Sequence, residues 1–295
     1  MSPLRSRATS SCVIACTPRS GSWLLSEALH NTGLLGQPEE YFRPDHIHLW
    51  ARRWGLRRGG SYDRFVAAAV AFGTTDNGIF SVKLHRYQFV WLLERLRELP
   101  WISADSAEAE VLASAIPRPR YVFLTRRSKA RQAVSYFLAA RSQAWFQLGD
   151  GAEPEPAAGT PREDLGPDGD GPGSELADLQ TVRWLEQALV DQEAAWRDSF
   201  LRSDLELLEV GYEDFADHYE DTVFDVLDFM DVVPPPGFRV HEPQLRRQAN
   251  ERTEALLARY LTVWSDIEPI PAAAVWSKAD RRYVVPGMPG TTQGS

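Results

Sequence analysis

Thr17-Pro18-Arg19-Ser20-Gly21-Ser22 brings together residue types that can hold an anion. The apolar run over 12–16 before it reads as a buried strand. Trp23, Leu24, Glu27, Ala28 and Leu29 after it fit a helix that stops near Gly33. A strand, a small-residue turn and a helix N-terminus point main-chain N–H groups and the positive end of a helix dipole at one spot. Gly21 permits close approach of the backbone, and Arg19 adds a planar, permanently charged donor. Such a loop suits a phosphate-like group. The triphosphate loop G-x-x-x-x-G-K-[ST] is absent, since no lysine follows Gly21. The plainer reading is an ordinary strand-to-helix turn with a capping serine.

Other polar residues fall at similar junctions. Lys83 and His85 lie at the end of an apolar run beginning at Ile79. Arg126 follows the run 121–124, and Ser135 lies further along the next helical stretch. Tyr212 follows the run 205–210. Strands alternating with helical stretches predict an α/β fold, a central parallel sheet flanked by helices. Ligands in such sheets bind at the C-terminal strand ends. The Thr17 loop, His85, Arg126 and Tyr212 are all expected there.

P-R-S-G-S followed by a helix resembles the 5′-phosphosulfate loop of sulfotransferases. The continuation G-Q-P-E-E-Y-F, from Gly36 to Phe42, is similar to the bacterial Stf-zero sulfotransferase family. T-R-R-S-K-A-R-Q-A-V-S-Y-F, from Thr125, resembles that family's 3′-phosphate segment. L-R-R-Q-A-N-E-R, from Leu245, resembles its C-terminal cofactor segment. The resemblance spans roughly residues 11–262.

It implies a P-loop-like sulfotransferase fold and transfer of a sulfuryl group from 3′-phosphoadenosine 5′-phosphosulfate (PAPS) to an alcohol, with 3′-phosphoadenosine 5′-phosphate (PAP) as product and no metal required. Pro18, Arg19, Ser20, Gly21, Ser22 and Trp23 would hold the 5′-phosphosulfate, and Lys83 would touch it. Arg126 and Ser135 would hold the 3′-phosphate. Tyr212 would lie near adenine, and Arg247, Gln248 and Arg252 would supply a further cationic cluster. Glu40 corresponds to the family's glutamate base. Lys83-Leu84-His85 is similar to the K-x-H segment of animal cytosolic sulfotransferases, where the histidine is the base. Glu40 ranks ahead of His85, with Arg19 stabilising the leaving oxygen.

Two positions depart from the pattern. Trp23 stands where a Ser or Thr normally ends the loop. Gln37 stands where the trehalose-type enzymes carry a carboxylate, which argues against trehalose itself. A small-molecule kinase on a related fold, or a catalytically silent nucleotide-binding protein, are the alternative readings.

The elements that must position these residues can be read in part. Helical spacing recurs at Tyr62–Val70, Phe89–Leu96, 111–116, 132–145, 176–201, 219–230 and 251–263. The stretch 37–53 reads as a loop. Residues 149–173 are nearly devoid of apolar side chains and read as a flexible Pro/Gly/acidic insertion in a single domain spanning 1–295. Residues 266–295 read as a C-terminal extension.

Composition narrows the class. A net charge of −9 disfavours non-specific nucleic-acid binding. Cys12 and Cys16, the two cysteines, are too few for a disulfide scaffold and fit buried thiols in a cytoplasmic protein. No apolar run reaches membrane-spanning length. Ten Trp and thirteen Phe can line a pocket for a sugar, glycolipid or natural-product alcohol. The relatives suggest a homodimer.

Overall fold

The structure, a computed structural model, describes residues 8–57, 59–103, 105–142, 145, 172–203, 205–244, 251–264, 275–277 and 282–284. In chain order the first unit is β1 (Ser10–Cys16) and α1 (Ser22–Asn31), followed by α2 (Ile47–Arg53) and α3 (Tyr62–Phe72). Next come β2 (Ile79–His85), α4 (Arg86–Arg97), α5 (Glu108–Ala113) and β3 (Pro119–Thr125). Then follow α6 (Lys129–Ser142), α7 (Pro172–Arg202), β4 (Leu207–Gly211), α8 (Tyr212–Asp217), α9 (Tyr219–Phe229) and α10 (Glu251–Trp264). A short antiparallel pair, β5 (Val275–Ser277) and β6 (Arg282–Val284), lies in the C-terminal region.

The first four strands form one parallel sheet in the order β2-β1-β3-β4. Successive side chains of a strand face opposite ways, and β1 divides accordingly. Val13 and Ala15 enter a core with Val82, Leu84, Phe123 and the helical residues Phe65, Leu92 and Trp196. Cys12, Ile14 and Cys16 enter the opposite core with Leu25 and Leu29 of α1 and Val223 and Val226 of α9. Both faces are covered, which explains why β1 reads as a continuous apolar run rather than an alternating one. A third cluster joins α6, α7 and α10 through Val134, Phe137, Leu185, Leu189 and Leu257. Among the described residues no helix is long and apolar enough to cross a membrane.

From β1 the chain returns to one side of the sheet at β2, and from β3 it leaves toward the other side at β4. The strand order therefore reverses between β1 and β3, where α/β sheets place their ligand crevice. The register sets Cys16 beside His85 and beside Leu124, so the ends of β1, β2 and β3 are level.

The expected strands and most expected helices are present, with shifted ends. The stretch 37–53, expected as a loop, contains a 3-10 turn (Pro44–His46) and α2. This helix is seven residues long and has no fully buried position, so it carries no clear apolar period. The helix expected over 111–116 begins earlier, at Glu108. The expected helix over 132–145 spans Lys129–Ser142 instead. Of the expected insertion, residues 149–171 lie outside the described residues, and 172–173 belong to α7.

Candidate active site

The loop after β1 is built from three directions. Trp196 of α7 is fully buried against Phe89 and Phe200, and its indole N–H donates to the Cys16 carbonyl at 3.0 Å. Gln132 of α6, also fully buried, donates through Nε2 to Thr17 Oγ1 at 2.8 Å and to the Pro18 carbonyl at 2.6 Å. Arg126, just past β3, donates through Nη1 to the Arg19 carbonyl at 2.9 Å. Arg19 itself adopts φ 62°, unusual for a residue with a side chain. The three helical and strand-end contacts hold that conformation in place.

Gly21 is the N-cap of α1 with φ 90°, and no side chain caps the helix. A Cβ there would lie 2.2 Å from Cδ2 of Tyr212, which packs its ring over the loop. Only glycine satisfies both the backbone and the ring. The first N–H groups of α1 have no intrahelical acceptor and carry the positive end of its dipole.

Two guanidinium groups converge beside this terminus. Arg19 donates through Nε to Ser135 Oγ at 3.0 Å and also bonds the Trp145 carbonyl. Arg126 lies 4.9 Å from the Tyr212 ring centroid. Burial, and then repulsion by Arg126, lower the pKa of Arg19 to about 10. Gathering like charges is unfavourable unless an anion joins them. Ser20 is fully buried, and its hydroxyl has no hydrogen-bond partner among the described residues. An orphaned donor beside two arginines and an uncapped helix fits a phosphate-type group.

A second cluster sits at the end of β2. Glu39 forms a single parallel bridge with Val82 of β2, its carbonyl accepting from Lys83 N at 3.0 Å. This fixes Glu40, which is almost fully buried. Lys83 Nζ lies 2.9 Å from Glu40 Oε1, and Gln88 of α4 donates to Oε2 at 2.6 Å. Burial raises the Glu40 pKa, but Lys83, His85 and Arg43 together outweigh it and hold the carboxyl well below the usual range. His85 Nε2 is 3.7 Å from Glu40 Oε1, and its Nδ1 is 3.4 Å from Cys16 Sγ. Burial lowers the His85 pKa to about 4, so it is neutral near pH 7. Burial likewise pushes the Cys16 thiol up to about 12.

Trp23, the unexpected residue at the end of the loop, lies with its ring centroid 3.5 Å from Lys83 Nζ. Trp23 thus links the loop to the Glu40 cluster.

The structure brings together Pro18, Arg19, Ser20, Gly21, Ser22, Arg126, Ser135 and Tyr212 around the loop, and Trp23, Lys83, Glu40 and His85 around the carboxylate. Arg252 is exposed at the start of α10. Arg247 and Gln248 lie outside the described residues. Sequence reasoning missed Gln88 and Gln132. Gln88 left one signal: it stands three residues after a helix cap, where a side chain can reach back, and its Oε1 accepts from His85 N at 3.0 Å. Gln132 left none.

The profile of the family described as Stf0 sulphotransferase matches residues 11–262. A trehalose 2-sulfotransferase from Mycobacterium tuberculosis is 27% identical over 86% of this chain and 96% of its own length. One from Mycolicibacterium smegmatis is 25% identical over 84% and 93%. Among solved structures, a sulfotransferase from Alicyclobacillus acidocaldarius is similar at 15% identity with a TM-score of 0.43, covering 86% of this chain and 94% of that one.

Proposed function

The chain belongs to the Stf0 sulphotransferase family and is a sulfotransferase, and we propose that its donor is PAPS and its acceptor a hydroxyl of a sugar or a related small-molecule alcohol. The observation that carries this reading is the convergence of Arg19, Arg126 and the orphaned Ser20 hydroxyl at an uncapped helix terminus, joined through Trp23 to the Lys83–Glu40 pair.

When bound, PAPS supplies a sulfuryl group attached to a phosphate leaving group. Arg19, Ser20, Ser22 and the loop amides hold the 5′ end and neutralise the charge that develops on the leaving oxygen. Arg126 and Ser135 take the 3′-phosphate, and Tyr212 flanks the nucleoside. Arg247, Gln248 and Arg252 would add the further cationic cluster that the resemblance implies. Lys83 keeps Glu40 ionised and supplies positive charge next to the loop.

Glu40 accepts the proton of the attacking hydroxyl. A carboxylate of low basicity suits a transfer that occurs late, when the attacking oxygen is already acidic. Neutral His85 stands behind it as the second candidate base. The relatives named for trehalose support a sugar acceptor, while Gln37 leaves trehalose itself open to test. We read the chain as one sulfotransferase domain acting in the cytoplasm as a homodimer. The cytoplasmic reading is supported by the two buried free thiols.

The test is turnover of PAPS with a mixture of trehalose, other sugars and lipophilic alcohols, followed by mass spectrometry. Formation of PAP and a product heavier by one sulfuryl group is expected. Thermal stabilisation by PAP but not by ATP should accompany it. No PAP formed with any acceptor, and no stabilisation by PAP, would overturn the donor assignment.

A further inference from the structure

We propose that Trp23 is a positioning residue whose indole face holds the Lys83 ammonium on the Glu40 carboxylate and closes that ion pair off from water. The inference rests on the reading of Glu40 as the base.

Three observations carry it. The Lys83 side chain is fully buried, yet Trp23, directly over it, is 36% exposed. The indole is therefore the layer between the ammonium and solvent. The ring centroid is 3.5 Å from Nζ, and Glu40 Oε1 is 2.9 Å from Nζ. The cation is thus contacted by a π face and by a carboxylate. Third, Trp23 occupies the second position of α1, and Lys83 belongs to β2, paired to β1 in fixed register. Neither element can drift without disturbing the sheet.

Indole attracts a cation through its quadrupole, more strongly where water is excluded. A Ser or Thr at position 23 would be too short to cover Nζ. Water would then reach the ion pair, raise the local dielectric and weaken the attraction that keeps Glu40 ionised. Trp23 exchanges a loop hydroxyl for control of the base.

The charge state of Glu40 depends on every group facing it. Lys83 and His85 come from β2, and Arg43 lies 4.0 Å away on the same loop. Gln88 and Tyr87 come from α4, with the Gln88 amide reaching both the carboxylate and the Tyr87 hydroxyl. Glu39 precedes it and opposes its ionisation, as does Cys16 beside Lys83 only if the thiol ionises. Trp23 meets this set at Lys83, so its effect on Glu40 passes through that ammonium.

The chain has three lysines, Lys83, Lys129 and Lys278, so 13C-lysine labelling gives a spectrum simple enough to assign with Lys83→Arg. In the resting full-length protein, without donor or acceptor, the Lys83 ε-methylene signal should lie upfield, shifted by the indole ring current. On acidification its position reports protonation of the Glu40–His85 cluster, and the same titration in a His85→Gln background isolates the Glu40 step. Trp23→Leu should abolish the upfield shift and move the Glu40 midpoint up by about one pH unit. Trp23→Phe, which keeps a weaker π face, should restore part of both. If Trp23→Leu leaves the midpoint unchanged, or if Phe and Leu give the same midpoint, the ring only fills space and the proposal is overturned. Should Trp23→Leu fail to fold, the wild-type and Trp23→Phe spectra decide alone: an unshifted Lys83 signal in wild type, or equal midpoints in the two, overturns it. Because no substrate is present, failure here is distinct from failure of the PAPS assignment.

Discussion

Arg126, at the end of β3, donates a hydrogen bond of 2.9 Å to the main-chain carbonyl of Arg19, in the loop after β1. The cation proposed to recognise a 3′-phosphate therefore also fixes the turn proposed to recognise the 5′ end. Arg19 in turn reaches Ser135, so the two halves of the proposed donor site are mechanically joined.

This joint role shapes the outcome of Arg126→Ala. Affinity for PAP should fall by roughly 1.5–3 kcal/mol, the size of a lost charge-assisted hydrogen bond. Affinity for 5′-AMP should fall by less, through loosening of the loop alone. Calorimetric titration of both nucleotides checks this. Equal losses would mean that Arg126 serves the loop and not the 3′-phosphate.

Gly21→Ala tests the loop conformation. The substitution forces a side chain into φ 90° and into the Tyr212 ring. A loss of roughly 1–3 kcal/mol of stability is expected, with loss of PAP binding. Adding Tyr212→Ala should relieve the steric part and leave the backbone part. Unchanged melting and PAP binding in Gly21→Ala would contradict the turn described here.

Much of this site was legible because its carriers are local. The apolar run of β1, the Gly/Ser loop and the apolar face of α1 lie within one short stretch, and each carries its own signal: a continuous run, small residues at a turn, and helical spacing. The ends of β2, β3 and β4 could be placed on one sheet edge from alternation alone. The partners were not legible. Gln132 reaches Thr17 across 115 residues, and Trp23 meets Lys83 only because β1 and β2 pair in a particular register. A glutamine in a helix and a tryptophan after a loop look the same in sequence whether buried on a function or packed in a core. The helix α2 escaped because it is short and presents no buried stripe.

The buried histidine makes acid stability predictable in sign. His85 has a folded pKa of about 4, below its ordinary value of 6.5. Between these values the unfolded chain binds the extra proton, so stability falls as pH drops through that window. The contribution is about 3 kcal/mol at most. Glu40, held below its ordinary range, extends the loss to lower pH by the same sign. Urea denaturation of wild type and His85→Gln between pH 7 and 4 should show a smaller pH slope in the variant. Identical slopes would mean that His85 is not buried neutral.

The same shift governs the rate profile. An active base of either identity stays competent well below pH 6.5. With acceptor at limiting concentration, kcat/KM should show no loss centred near pH 6.5. A midpoint there would point to a histidine in ordinary surroundings, against the burial of His85.

The most direct measurement is single-turnover sulfation by Glu40→Gln with saturating PAPS and an acceptor identified by the turnover screen. Gln keeps the size and one acceptor oxygen of Glu40 but cannot take the proton. PAP affinity should be retained while the chemical step slows by roughly 10²–10⁴-fold, with His85→Ala acting mainly on acceptor KM. A wild-type single-turnover rate in Glu40→Gln would remove Glu40 from the chemistry.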